Sequence, residues 1–221
     1  MEILERRHPR PRRARALQLA GAALLIASGA TAAQNKDAED RVSSSRSKGQ
    51  ESAPVFVYEF ADFECSHCAR FAIEVFPRID SAFVRTGQIR WVFVNLPLPT
   101  HANAWLAHEA ALCAGAVADR FWAMHDRLFA SQKEWGPAAD ATPMIARYAR
   151  ELGLPADAFN TCTVGDRVAS ILLQDVIFAA TSRVSGTPAF IINNEQTVMG
   201  LKSFEEWKVL LEPMIRKARR D

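Results

Sequence analysis

Residues 55–70 read VFVYEFADFECSHCAR, an apolar run that ends in Cys65-Ser66-His67-Cys68 and passes directly into a helical pattern. A strand feeding a helix through Cys-x-x-Cys places Cys65 at the helix N-terminus. There, unpaired backbone N–H groups and the positive end of the helix dipole favour a thiolate. Cys68 lies on the same face one turn later, close enough to close a disulfide with Cys65. Far downstream, Gly186-Thr187-Pro188 precedes a second apolar run, Ala189-Phe190-Ile191-Ile192. Together these stretches imply dithiol redox chemistry, with a Cys65 thiolate attacking a sulfur through a mixed disulfide. His67, inside the motif, is placed to help lower the Cys65 pKa. Each unit below ambient pH adds about 30 mV of oxidising power in a two-electron couple. The competing reading, half a zinc site, needs a second ligand pair of matching spacing, and the sequence holds none.

Outward from this stretch, the chain divides by composition. Six arginines precede residue 16, an uncharged stretch runs from Ala16 to Ala33, and Ala30-Thr31-Ala32 supplies an A-x-A cleavage site. Residues 1–32 thus read as a secretory signal peptide. The apolar core from Ala16 to Gly29 is shorter than the roughly 20 residues that cross a bilayer; left uncleaved, the segment is a signal anchor tethering the protein to a membrane. The whole chain carries a formal charge of +2, and the basic excess belongs to the leader, which argues against a nucleic-acid-binding surface. Residues 33–52 are polar and charged, and read as a disordered linker that buries too little to offset its ordering entropy. The folded unit is expected over 53–221, long enough for a core that does not depend on disulfides.

The patterning predicts a strand over 55–60, a helix over 66–84 kinked at Pro77, and a strand over 89–96 with the continuous apolar character of one buried on both faces. Residues 101–182 are helical in pattern almost throughout. A strand opens at Pro188, residues 195–199 pair back as a hairpin, and a last helix runs over 203–218, with Ser203 as its cap and Glu206 at the capping-box position. The fold class is α/β, ordered β, α, β, a helical block, then β, β, α.

This order, with FADFECSHCARF after the first strand, VSGTPAFIINN at the third, and Phe121, Trp122, His125, Asp126, Leu128 and Phe129 within the helical block, resembles the DsbA-type thioredoxin-like thiol:disulfide oxidoreductases of the bacterial cell envelope. The resemblance covers Val55 to the C-terminus and implies a thioredoxin-like fold with an inserted all-helical subdomain over about 101–182. It also implies that Thr187-Pro188 is a cis-proline loop facing the sulfurs, exposing the Thr187 backbone for strand-like pairing with substrate. The alternative is a simple strand-starting proline. Glu59 stands six residues before Cys65, where this fold keeps a buried acid beneath the second cysteine. Such an acid would exchange a proton with Cys68; the alternative is an edge-facing Glu. Ser66 departs from the proline often found at its position.

Four cysteines in an exported chain allow three connectivities, and the adjacency of Cys65 and Cys68 selects a structural disulfide between Cys113 and Cys162. The alternative is a second exchanging pair. His101 and His108, seven apart, could share a helix face, but without a third ligand they read as polar packing at a helix surface rather than metal ligands. Trp91, Trp105, Phe121, Trp122, Phe129 and Trp207 read as core, and no motif calls for a cofactor or metal. The expected function is a monomeric periplasmic or otherwise extracytoplasmic oxidase that donates the Cys65–Cys68 disulfide to reduced or misfolded secreted proteins. The resemblance implies recharging by a membrane quinone-linked partner. Two other readings stay open: an isomerase or reductase kept reduced by a membrane donor, and a thioredoxin-like chaperone or interaction domain.

Overall fold

The computed structural model describes residues 40–165 and 167–220; the expected leader and its cleavage site lie outside them. Strand β1 (Ser47–Lys48) is followed by β2 (Val55–Ala61). The dithiol helix α1 then runs as four contiguous turns: Ser66–Arg70, a π-turn at Phe71–Val75, Phe76–Ile79 and a second π-turn at Asp80–Val84. Proline offers no N–H to the preceding turn. The expected kink at Pro77 is therefore taken up by wider turns on either side of Phe76–Ile79. Strand β3 (Ile89–Asn95) leads into six helices: α2 (Ala104–Ala118), α3 (Phe121–Ala130), α4 (Gln132–Trp135), α5 (Thr142–Glu151), α6 (Ala156–Val164) and α7 (Ala169–Thr181). Strands β4 (Ala189–Ile192) and β5 (Gln196–Met199) and helix α8 (Phe204–Ala218) complete the fold. The capping box is present: Ser203 Oγ accepts from the Glu206 N–H, and Glu206 accepts from the Ser203 N–H at 2.8 Å.

The sheet order is β1-β3-β2-β4-β5, with β2 and β3 parallel and the other pairs antiparallel. Alternation along β2 sends Val55 and Val57 to one face, where Phe71, Trp91, Phe190 and Trp207 form a core under α1 and α8. Phe60 faces the other side, against Ala189, Ile191 and Ala179 of α7. The parallel pair ends in register, Ala61 opposite Asn95, so the loops leaving β2 and β3 emerge side by side.

Over residues 40–52, the part of the expected linker that lies within the described residues, the structure corrects that reading. Residues 40–45 are helical, β1 pairs with Trp91 and Val92 on the free edge of β3, and Val42 is 1% exposed in the core of the helical insert. One apolar side chain and two strand residues suffice because they add to an existing core and sheet edge. Arg46 completes the attachment through an ion pair with buried Asp175 of α7. Asp175 also accepts from the Asn95 backbone N–H at 3.0 Å and its side-chain amide at 2.6 Å, and Asn95 Oδ1 bonds His108 Nδ1 at 2.8 Å. His108 is thus fully buried, not at a helix surface, and burial depresses its pKa to about 4, leaving a neutral ring. His101 precedes α2, so the two histidines share no helix face. Trp105 is also corrected, being 40% exposed rather than core.

Cys113 of α2 and Cys162 of α6 are joined in a disulfide across 49 residues. Closing a loop of that length stabilises the fold by about 4 kcal/mol on the chain-entropy account. The double variant Cys113→Ala/Cys162→Ala is therefore expected to unfold at markedly lower urea concentration, with a loss approaching that figure. An unchanged midpoint would show that the insert is held by packing alone.

Candidate active site

The last residues of β2 and the first turn of α1 place the dithiol. Cys65 is the cap residue of α1, in extended conformation, and its N–H donates to the Asp62 carbonyl at 3.1 Å. Cys65 retains 8% of its surface and Cys68 none; both are free thiols here. Ser66 and His67 are exposed on the outer rim of the motif.

The Thr187–Pro188 peptide bond is cis, and Cys65 Sγ lies 3.6 Å from the Thr187 carbonyl oxygen as donor. Two stretches 122 residues apart in sequence thus meet at one sulfur. The Thr187 hydroxyl is buried and has no other partner among the described residues, which leaves its hydrogen for the sulfurs. The Pro188 carbonyl accepts from the Gly200 N–H at 2.8 Å, which ties the loop to the end of β5.

The two thiols are driven apart in acidity. The hydrogen bond from Cys68 is the largest influence on Cys65; against burial, the Thr187 side chain and the backbone N–H groups of Cys68 and His67 add to it, and the Cys65 pKa falls to about 5. His67 acts here through its backbone. Burial, then the hydrogen bond to Cys65 and its charge, push Cys68 well above the ordinary thiol value. The more acidic sulfur is therefore Cys65, which is also the one that retains exposed surface.

Glu59 of β2 is 1% exposed, so the edge-facing alternative does not describe it. Its Oε2 accepts from Trp91 Nε1 at 2.7 Å, and Oε1 has no hydrogen-bond partner among the described residues. Burial raises its pKa to about 8; the Trp91 bond and the charge of Lys48 only partly offset this. Lys48, from the segment read as a linker, sits 4.5 Å from the Trp122 ring centroid.

Sequence reasoning missed the shell that holds the loop. Gln132 of α4 donates to the carbonyls of Phe63 at 2.7 Å and Cys65 at 2.9 Å. Glu64 accepts from the Asn103 N–H at 2.8 Å, and Asn103 reaches the carbonyls of Gly136 and Ala138. Asp62, fully buried, bonds the Glu64 N–H, the Leu98 N–H and His101 Nδ1. One signal could have found part of this shell: residues just beyond β3 must lie beside those just beyond β2, because sites in parallel sheets gather at the carboxyl ends of adjacent strands. Among the described residues no group of three or more His, Cys, Asp or Glu side chains could hold a metal, and no helix is long and apolar enough to cross a membrane.

A thioredoxin family model matches residues 42–213, which takes in nearly the whole described chain. The chain belongs to the thioredoxin family. Relatives named for disulfide bond formation and structural neighbours named DsbA mark it as DsbA-type. Disulfide bond formation protein D of Bacillus subtilis is 26% identical over 76% of each chain. The crystal structure of alpha-DsbA1 from Wolbachia pipientis superposes with a TM-score of 0.70 at 24% identity, over 78% of this chain and 92% of that one. A thioredoxin-like fold with a helical insertion, expected from the motif order, is what the sheet and these neighbours show. The Na(+)/H(+) antiporter NhaA 3 of Salinispora tropica is 39% identical over 150 residues, 67% of this chain, and the match spans only 22% of that protein. The family match begins at residue 42, inside the segment first read as a linker.

The raised pKa of Glu59 has a consequence for stability. In the unfolded chain Glu59 ionises near the ordinary glutamate value of 4.5, while in the fold it stays protonated to about 8. Its contribution is therefore fully present below about 4.5 and is lost as pH rises toward 8, at up to about 1.4 kcal/mol per unit. Glu59→Gln is expected to match wild type at pH 4 and to gain on it steadily through pH 7 in urea titrations. A constant difference across that window would mean the carboxyl is ionised in the fold.

Proposed function

We propose that this chain is an extracytoplasmic dithiol–disulfide oxidase that donates the Cys65–Cys68 disulfide to reduced secreted proteins. The thioredoxin family and relatives named for disulfide bond formation support the broader reading, a thiol:disulfide oxidoreductase. The observation that carries the finer one is the set of donors gathered on Cys65 Sγ at the start of α1: the Cys68 thiol, the Thr187 side chain and the backbone N–H groups of Cys68 and His67. Every donor that stabilises the thiolate favours the reduced enzyme, so the oxidised form is driven to pass its disulfide on.

In the proposed cycle a substrate thiolate attacks Cys65 Sγ, forming a mixed disulfide and expelling Cys68 as a thiolate. Cys68 takes a proton, for which Glu59, protonated at neutral pH, is the proposed source. A second substrate thiolate attacks the substrate sulfur of the mixed disulfide, and Cys65 leaves as the stabilised thiolate. The substrate gains a disulfide and the enzyme holds both electrons as a dithiol. The Thr187 backbone is the proposed pairing edge for an extended substrate. No resident cofactor enters the cycle. Return to the disulfide state requires an oxidant, proposed to be a membrane quinone-linked partner, and the protein is proposed to act as a monomer.

An extracytoplasmic location is supported by the arginine-rich start followed by an apolar stretch, and by the Cys113–Cys162 disulfide, since structural disulfides persist in oxidising compartments. Two measurements test the proposal. The reduction potential of the Cys65–Cys68 pair is expected well above the roughly −270 mV of thioredoxin; a value at that level would make the protein a reductase. The oxidised protein should form disulfides in a reduced, unfolded secreted protein, and Cys65→Ser should abolish this. Undiminished turnover in that variant would remove Cys65 from the chemistry.

A further inference from the structure

The motif histidine is not the imidazole best placed to act on the nucleophile. His67 is exposed and reaches Cys65 through its backbone N–H. A second histidine, His101, enters from the loop after β3 and is held by a closed set of bonds. Asp62 Oδ2 accepts both His101 Nδ1 at 2.8 Å and the Leu98 N–H at 2.7 Å, while the Leu98 carbonyl accepts the His101 N–H at 3.0 Å. The same Asp62 is part of the dithiol loop. Its carbonyl accepts the Cys65 N–H at 3.1 Å, and its backbone lowers the Cys68 pKa against the rise that burial imposes. One residue therefore fixes the imidazole and the backbone of the nucleophilic cysteine in a single frame, and its carboxylate is completely buried.

We infer that His101 is a cationic partner of the Cys65 thiolate, positioned by Asp62 from outside the Cys-x-x-Cys motif. The charges facing His101 are the Asp62 carboxylate, the Glu64 carboxylate and the Cys65 thiolate. Burial draws its pKa down, but these three outweigh burial and hold it above the ordinary value. Its ring keeps 26% of its surface, so the pair is partly solvated and the coupling is moderate. His101 acts as a positioning and electrostatic residue, since the ring is anchored on Asp62. It favours the reduced enzyme while protonated, and that advantage disappears as pH rises through its pKa. The oxidising power of the dithiol therefore declines with pH more steeply than a site lacking this cation would show.

The inference rests on Cys65 as the low-pKa sulfur, and the test separates the two. In wild type, the His101 ring is titrated by NMR in the dithiol and disulfide forms, and the Cys65 thiolate is titrated by ultraviolet absorbance. Linkage requires the thiolate to raise His101 by as much as His101 lowers Cys65. His101 is expected to titrate higher in the dithiol form than in the disulfide form. His101→Gln keeps an amide donor for Asp62 but loses the charge, and should raise the Cys65 pKa by a similar amount. His101→Lys, which restores a cation, should bring it back. Identical His101 titration in both redox states would overturn the inference, even if the variants do not fold. So would an unchanged Cys65 pKa in a natively folded His101→Gln. An ordinary Cys65 pKa in wild type would instead overturn the reading of the dithiol itself.

Discussion

A single proton shared unequally between two sulfurs is the constraint on which the rest of the structure depends. Cys65 and Cys68 lie one helical turn apart, yet burial and hydrogen bonding push one toward the thiolate and the other toward the thiol. The hydrogen bond from Cys68 to Cys65 serves both ends, stabilising the anion and fixing the proton on the buried partner. A disulfide has no charge for these donors to stabilise, so on the proposed oxidase reading the same contacts that acidify Cys65 make the oxidised form the less favoured one. Redox direction is in this sense a property of hydrogen-bond donors around a helix N-terminus.

Most of those donors belong to the motif itself, whereas the Thr187 side chain and the shell that holds the dithiol loop come from parts of the chain far apart in sequence. The parallel pairing of β2 and β3 sets the dithiol loop beside the loop that carries Leu98 and His101. Antiparallel pairing of β4 against β2 delivers Thr187 and Pro188 to the sulfur from the other side. The helical insert contributes from above through Gln132, whose amide holds two carbonyls of the dithiol loop. Beneath, Glu59 occupies a position where a protonated carboxyl meets Trp91. A dithiol helix alone would supply the two backbone N–H groups and the Cys68 thiol; burial and the Thr187 side chain need the whole domain.

What could be read from the sequence was whatever is local or continuous. Strands β2, β3 and β4 are largely apolar runs, the Cys-x-x-Cys sits at a strand–helix junction, and Ser203 forms a capping box with Glu206 three positions on. Glu59 stood out because an acid in such a run must be either buried or at an edge. The segment before residue 53 was illegible because its attachment depends on Val42, Arg46 and two strand residues set among polar neighbours, and composition averages these away. Helix α2 is apolar on nearly every side, so periodicity could not show that Trp105 faces out while His108 faces in. His101 was passed over for a different reason: its partner, Asp62, lies 39 residues earlier, and only the register of two parallel strands joins them.

Selective alkylation at mildly acidic pH tests the central claim most directly. Fully reduced protein at about pH 6, between the depressed Cys65 value of about 5 and an unperturbed thiol, is treated with less than one equivalent of iodoacetamide and mapped by mass spectrometry. Label confined to Cys65, with Cys68 untouched, is the outcome that unequal sharing of the proton requires. Equal labelling of both residues, or no labelling until pH exceeds about 8, would mean that the two sulfurs are not held apart and that the fold imposes no such asymmetry.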